Sequence, residues 1–272
     1  MMGELAGKSV VVTGAGAGLG QAYAMAIAAA GADVVVNDVN VAGATAVVEA
    51  IAAAGGRAAL STDPVGTAEA AEAMVGLCVD RFGRIDGLVN NAGIHYVKPV
   101  WEESAQEVER VIQVNLLGSI HCAAAAIRRM RAQASGAVIN IGSGSMRGNR
   151  PGMGAYGSSK AAVTTLTRVW ASELEGSGVH VYGISPNART PMNLASGAAY
   201  LKNSLPEDIA PLAVFLLGDR AAPLNGRMIR LDDGEVSLWA GGDYGPVLGN
   251  RADWTSDSLA AALLPAVAAD AA

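Results

Sequence analysis

Short runs of β-branched and apolar residues alternate with longer alanine-rich stretches along this chain. The runs at 9–13 (SVVVT), 33–38 (DVVVND), 87–93 (GLVNNAG), 137–141 (AVINI), 179–184 (VHVYGI) and 227–232 (RMIRLD) read as strands, with a weaker one at 57–61 (RAALS). They are apolar at consecutive rather than alternate positions, as parallel strands covered on both faces must be. Helical patterns fall between them at 18–30, 41–54, 67–82, 104–131, 155–175 and 206–217. This alternation predicts an α/β fold, a single Rossmann-like doubly wound parallel sheet flanked by helices on both faces. No low-complexity linker divides the chain, so residues 1–240 are expected to form one domain. After Trp239 glycine and proline loosen the pattern, and a short helix is interrupted at Pro265. Residues 241–272 therefore read as a C-terminal extension packed on the domain or on a neighbouring subunit.

Composition narrows the function classes. The 272 residues carry a net charge of -6, which argues against nucleic acid as a partner. No stretch reaches the roughly eighteen uncharged apolar residues of a membrane span, and the opening MMGELAGKSV lacks the apolar core of a secretory signal. A soluble, cytoplasmic protein is expected. Cys78 and Cys122 sit in apolar helical patterns without metal-ligand spacing and read as buried free thiols, with no metal site. The basic cluster Arg128, Arg129 and Arg131 reads as a solvated last helical turn favoured by the helix dipole.

Candidate chemistry begins just after the first strand, where TGAGAGLG spans 13–20. Glycines at 14, 16, 18 and 20 let the backbone turn tightly and bring its N–H groups and a helix N-terminus up to a pyrophosphate. The loop fits T-G-x3-G-x-G rather than G-x-G-x-x-G, and tight packing alone is the other explanation. Asp38 ends the second strand, where a carboxylate accepts from adenine-ribose hydroxyls and repels a 2′-phosphate. With no Arg or Lys at 15–17 or 37–41 to hold such a phosphate, NAD is expected over NADP. The alternative is that Asp38 is only a helix N-cap.

Tyr156 and Lys160 stand four residues apart in GAYGSSKAAV, about 40° apart on one helix face. A neighbouring ammonium favours the phenolate, which makes Tyr156 a candidate general acid/base. The small residues around the pair leave the phenol accessible. Ser143, at the end of the fifth strand, can hydrogen-bond a substrate oxygen, and Asn115, inside a helix, can hold a water that feeds protons to Lys160. Each of these residues taken alone is commonly structural.

Taken together, TGAGAGLG, Asp38, Asp63, NNAG at 90–93, Asn115, Ser143, YGSSK and SPNARTPM resemble the single-domain, NAD-dependent branch of the short-chain dehydrogenase/reductase family over about residues 6–235. The resemblance implies catalysis by Asn115, Ser143, Tyr156 and Lys160. For the cofactor it implies Gly14, Ala17, Gly18, Leu19, Gly20, Asp38, Val39, Asp63, Pro64, Asn91, Ala92, Gly93, Tyr156, Lys160, Pro186, Ala188, Thr190 and Met192. The chain departs from the family at Pro186-Asn187, where Pro-Gly is usual, and at Pro64, which lacks an N–H. The family also implies a homo-oligomer, a dimer or tetramer.

His95, Ser145, Met153 and Asn187 are the candidates for contact with a small-molecule substrate, whereas His121 and His180 read as structural. Met146, Met153 and Met192 around the expected cleft favour a hydrophobic substrate, such as a hydroxysteroid, a 3-hydroxyacyl thioester or a cyclic or terpenoid alcohol. No basic patch for a thioester's phosphates is evident. Only thirteen residues, NLASGAAYLKNSL, separate Met192 from the next helical signal. The tail, with Trp239, Tyr244 and Trp254, is therefore a candidate cover for the site. The expected activity is NAD-dependent interconversion of a secondary alcohol and a ketone; the alternative is a non-catalytic NAD(H)-binding sensor or scaffold.

Overall fold

A computed structural model describes residues 3–190, 192 and 204–241. Eight strands form one sheet: β1 (Ser9–Thr13), β2 (Asp33–Asn37), β3 (Ala58–Ser61), β4 (Gly87–Asn90), β5 (Gly136–Ile141), β6 (Val179–Asn187), β7 (Met228–Asp232) and β8 (Glu235–Leu238). Their order is β3-β2-β1-β4-β5-β6-β7-β8, parallel throughout except for antiparallel β8. The helices are α1 (Gly18–Ala29), α2 (Val41–Ala53), α3 (Ala68–Phe82), α4 (Ala105–Ile112), α5 (Gly118–Gln133), α6 (Gly154–Glu173) and α7 (Pro206–Leu217). The doubly wound sheet is thus the expected one, and its chain reversal between β1 and β4 opens a crevice at the strands' carboxyl ends.

Alternation within each strand feeds two apolar layers. Val10, Val12, Val34, Val36 and Ile139 pack with Tyr23 and Ile27 of α1 and Ile209 and Leu216 of α7. Val11, Val35, Leu88 and Val138 pack on the opposite side with Met74 and Cys78 of α3 and Cys122 and Met130 of α5. Burial pushes the thiols of both cysteines up to about 12, so they stay protonated and apolar. Strands continuous in valine therefore serve two cores at once.

Between the layers runs a buried polar ladder. Asn90 Nδ2 donates to Asn140 Oδ1 at 3.0 Å and to the Ser119 carbonyl at 3.2 Å, and Asn140 Nδ2 donates to Thr167 Oγ1 at 3.0 Å. Each amide is satisfied, so the ladder fixes β4, β5, α5 and α6 in one register without the cost of an orphaned polar group.

Four details differ from the sequence reading. The fourth strand ends at Asn90, and the sixth continues to Asn187 because β7 pairs with it as far as Asn187↔Asp232. The helix expected over 104–131 is interrupted by a π-helical turn at Gln113–Leu117. Strand β8 was not anticipated: it follows a tight turn at Asp233-Gly234, where both residues take positive φ, and all four of its residues are exposed. By length and hydropathy the run Ala105–Gln133 is apolar enough to cross a membrane. It instead packs Cys122, Ala123, Ala126 and Met130 into the second core.

Arg128, Arg129 and Arg131 are exposed at the end of α5, and Arg128 pairs with Glu72. His121 is half-buried on α5, and His180 stacks against Tyr182 with ring centroids 6.2 Å apart. By compactness the chain divides into Met1–Trp239 and Ala240–Ala272. The expected extension, with Tyr244 and Trp254, lies outside the described residues, as does most of the short segment after Met192.

Candidate active site

The glycine loop is shaped by approaches that no side chain would permit. Gly14 and Gly18 take φ of 63° and 57°, a left-handed conformation in which Cβ collides with the backbone. A Cβ on Gly14 would lie 2.8 Å from Ala92 Cα, and one on Gly20 would lie 2.1 Å from the Gly14 carbonyl oxygen. Asn91 locks the other side, donating from Nδ2 to the carbonyls of Thr13 and Gly14 at 2.9 and 3.0 Å. Helix α1 then starts at Gly18 with Ala17 as its N-cap and no side chain capping it. Its first N–H groups are left for an anion, the arrangement a pyrophosphate needs.

Asp38 is held at the rim of this loop. Its Oδ2 accepts from the Gly16 N–H at 2.8 Å and its Oδ1 from the Asn40 N–H at 2.8 Å. The N-cap of α2 is Asn40, whose side chain accepts from Gly43 N–H, so the capping alternative for Asp38 does not hold. Asn37, which the sequence reading passed over, ties the end of β2 to the segment after β3 by donating to Ser61 Oγ at 3.0 Å and to the Asp63 carbonyl at 2.9 Å. Asp63 itself accepts from Ser61 Oγ, and Pro64 beside it faces the crevice.

The crevice is a cleft of about 560 Å³. Its walls include Gly14, Ala17, Gly18, Leu19, Gly20, Asp38, Val39, Pro64, Asn91, Ala92 and Gly93 at one end. Ser143, Tyr156, Lys160, Pro186, Asn187, Thr190 and Met192 line it further along. Ala188 is buried and does not line the cleft. Cofactor and chemical candidates therefore share one cavity. The glycine cradle, the uncapped α1 and the volume all fit a dinucleotide.

Lys160 is 4% exposed, and its Nζ donates to the Ile141 carbonyl at 2.7 Å and lies 5.8 Å from the centroid of the Tyr156 ring. Burial lowers its pKa to about 8. Ser143 Oγ lies 3.3 Å from Ser145 Oγ and accepts from the Ser145 N–H, which turns the serine at the end of β5 toward the cleft. His95 is half-buried with its ring centroid 5.4 Å from that of Tyr156, and burial lowers its pKa. It therefore stands neutral beside the phenol at pH 7.

The Asn115 side chain has bonds of its own within the fold. It is fully buried in the π-helical turn, its Oδ1 accepts from the Ile94 N–H at 2.8 Å, and its Nδ2 donates to the Ile94 carbonyl at 2.9 Å and Ser159 Oγ at 3.2 Å. The amide thus pins the segment after β4 to α6. A methyl group on Gly93 would touch both Asn115 Oδ1, at 3.4 Å, and Lys160 Nζ, at 3.6 Å. Asn115 therefore positions the strand end beside the lysine.

Ser145 is buried behind Ser143, close to Met153, the N-cap of α6, and neither lines the cleft. Asn187 does line it but donates to Asp232 Oδ1 at 2.8 Å. Of the methionines, Met192 faces the cleft whereas Met146 faces a smaller pocket beside it. The absence of a basic patch needs correction: Arg110, Arg150 and Arg230 also line the cleft, and Arg230 comes from β7, far away in sequence.

Comparison with known proteins agrees with this geometry. The family model described as short chain dehydrogenase matches residues 8–199. The chain is 37% identical to the short-chain reductase protein NovJ of Streptomyces niveus, over 82% of this chain and 92% of that one. It is 35% identical to 3beta-hydroxysteroid dehydrogenase 1 of Eggerthella lenta, over 90% and 99% of the two chains. A crystal structure of a short chain dehydrogenase from Mycobacterium avium superposes with a TM-score of 0.88 at 33% identity, covering 98% of this chain and 95% of that one. With the glycine cradle, the Tyr156–Lys160 pair and the sheet order all in place, the chain is an oxidoreductase belonging to the short-chain dehydrogenase/reductase family, whose cofactors are nicotinamide dinucleotides.

Proposed function

We propose that this protein is an NAD-dependent dehydrogenase that interconverts a secondary alcohol and a ketone, with Tyr156 as general acid/base. The observation that carries the reading is that Tyr156, Lys160 and Ser143 line the same cleft as the glycine cradle and Asp38. Gly14, Gly18, Leu19 and Gly20 would hold the pyrophosphate and Asp38 the adenine ribose, while Pro186, Thr190 and Met192 would flank the nicotinamide. Bound NAD supplies the hydride acceptor.

The chain's own residues manage the proton. In the oxidative direction Tyr156 takes the proton of the substrate hydroxyl, and Ser143 Oγ holds the same oxygen as its charge changes. The Lys160 ammonium favours the phenolate that begins the cycle. With its pKa near 8 it can also release a proton near neutral pH. Asn115 keeps Gly93 and Ile94 in place beside it.

Asp38 favours NAD over NADP by repelling a 2′-phosphate. The substrate belongs among hydrophobic alcohols, a hydroxysteroid, a 3-hydroxyacyl thioester or a cyclic or terpenoid alcohol, and the hydroxysteroid dehydrogenase among the relatives supports the first of these. A cytoplasmic homodimer or homotetramer acting on a small molecule completes the reading. NADH formation is to be followed over a panel of such alcohols, beside Tyr156→Phe. Turnover on one class that disappears in the variant supports the proposal; tight NADH binding with no turnover on any alcohol favours the non-catalytic alternative.

A further inference from the structure

Gly144 follows Ser143 and opens a 3-10 turn, Gly144–Arg147. A methyl group on it would lie 3.1 Å from Arg230 Nη1, 3.7 Å from Arg147 Nη2 and 3.9 Å from Arg150 Nη2. Three guanidinium groups, two from the loop after β5 and one from β7, therefore converge on the open side of a residue adjacent to Ser143. Asp232 accepts from Arg230 Nη2 at 2.6 Å, and this bond leaves the Nη1 edge turned toward Gly144. Arg147 is exposed and donates from Nε to the Gly144 carbonyl at 3.3 Å.

A second pocket, about 200 Å³, adjoins the cleft and shares Gly144 and Arg230 with it. Arg147, Ser185, Ser237 and Trp239 complete its polar and aromatic walls. Ser185 is 2% exposed, yet its Oγ has no hydrogen-bond partner. A buried hydroxyl without a partner is uncommon and costly. The residue lines the floor of a pocket rimmed by two guanidinium groups, but its Oγ is closed off from the pocket, so the guanidinium groups are what a ligand would meet.

We propose that this pocket receives a carboxylate carried by the substrate, so that the oxidisable alcohol has an acidic arm as well as an apolar body. This deepens the secondary-alcohol reading and rests on it. A planar carboxylate matches the guanidinium fork in a bidentate manner. The cofactor's phosphates are not the occupant, because their cradle is at Gly18–Gly20, whereas this pocket opens behind Ser143. Met146, Met228 and Leu238 form the apolar walls.

The test pairs binding with turnover. A panel of cyclic and linear hydroxy acids and their methyl esters is titrated calorimetrically into the wild-type protein in low-chloride buffer, and the same compounds are assayed with NAD. At least one acid should bind tenfold or more tightly than its ester. Arg147→Gln should shrink that preference below threefold, and Arg147→Lys should restore part of it. Arg147 is exposed, so an unchanged melting temperature is the control for folding. Equal binding of acids and esters, no binding of any acid, or a preference that survives in Arg147→Gln overturns the inference, even when neutral alcohols are oxidised. Inorganic phosphate that competes with no acid preference would mark a free-anion site and overturn it as well. Tight, Arg147-dependent binding of an acid, with no NADH formed from any acid or neutral alcohol, supports the pocket and counts against the dehydrogenase reading instead.

Discussion

Replacing Lys160 with methionine should stabilise the nucleotide-free protein at pH 7 while removing its turnover. The lysine is buried, and its pKa falls from 10.5 in the unfolded chain to about 8 in the folded one. Holding it charged in the fold therefore costs about 3 kcal/mol. The sign follows from where each state loses its proton. Below pH 8 the lysine is charged in both states and the cost is complete. Between pH 8 and 10.5 the folded lysine is already neutral while the unfolded one still binds a proton, so the cost shrinks as pH rises and is gone above 10.5. Methionine has nearly the same length and no charge, but it forfeits the bond to the Ile141 carbonyl, a loss of about 1 kcal/mol. Lys160→Met should thus be about 2 kcal/mol more stable at pH 7, or roughly 4–8 °C in Tm, and about 1 kcal/mol less stable above pH 10.5. The two curves of stability against pH must cross. Urea unfolding followed by circular dichroism at a series of pH values measures the difference, in which the titration of the distant Cys78, Cys122, Tyr23 and Tyr182 cancels; the same pair of proteins in a Tyr156→Phe background removes the titration coupled to Lys160. A variant less stable than wild type at pH 7, or a difference that does not change with pH, would refute the argument.

Tyr156→Phe should lower kcat by roughly 10²–10⁴-fold, the usual worth of a general acid/base, with NADH affinity by fluorescence titration little altered; near-normal kcat would remove the tyrosine from the proton transfer. Wild-type kcat/KM should favour NAD over NADP by at least about tenfold if Asp38, at the rim of the glycine loop, meets the adenine ribose as proposed. Asp38→Ser should narrow that ratio, and parity in the wild type would sink the assignment. Asn115→Leu strands the Ile94 N–H and carbonyl, so it should lose about 2–4 kcal/mol in urea unfolding; a loss under 1 kcal/mol would mean that the Ile94 segment does not depend on the amide.

What the sequence revealed, and what it concealed, divides along the distance between interacting residues. The glycine loop, Asp38 and the Tyr156–Lys160 pair were legible because each depends on neighbours within one turn or one strand end, where backbone periodicity fixes the geometry. The parallel sheet was legible from valine runs such as Val10–Val12 and Val34–Val36. The π-helical turn at Asn115 was hidden, since Gln113–Leu117 keeps an ordinary helical pattern and the bulge depends on contacts with Ile94 and Ser159. Arg147, Arg150 and Arg230 looked unrelated because some eighty residues separate the first two from the third, and only the β6–β7 pairing brings them together. The Asn90–Asn140–Thr167 ladder was unreadable for the same reason. Strand β8 is short, exposed and polar at two of its four positions, so it carried no burial signal.

The strand order also governs how this chain can reach its native state. Strand β1 pairs with β2 at short range, but its other edge waits for β4, with Val10 opposite Gly87. Bringing those ends together costs about 4 kcal/mol in loop-closure entropy before any contact repays it, and non-local pairing of this kind slows folding. The floor of the cleft lies across this seam, since Asn91 beyond β4 holds Gly14 beyond β1. During synthesis, the first three strands can pair while the later ones are still being made, but no nucleotide can bind until β4 has docked. Ligand binding is therefore a late event in folding, and NADH fluorescence during refolding should report the joining of the two halves.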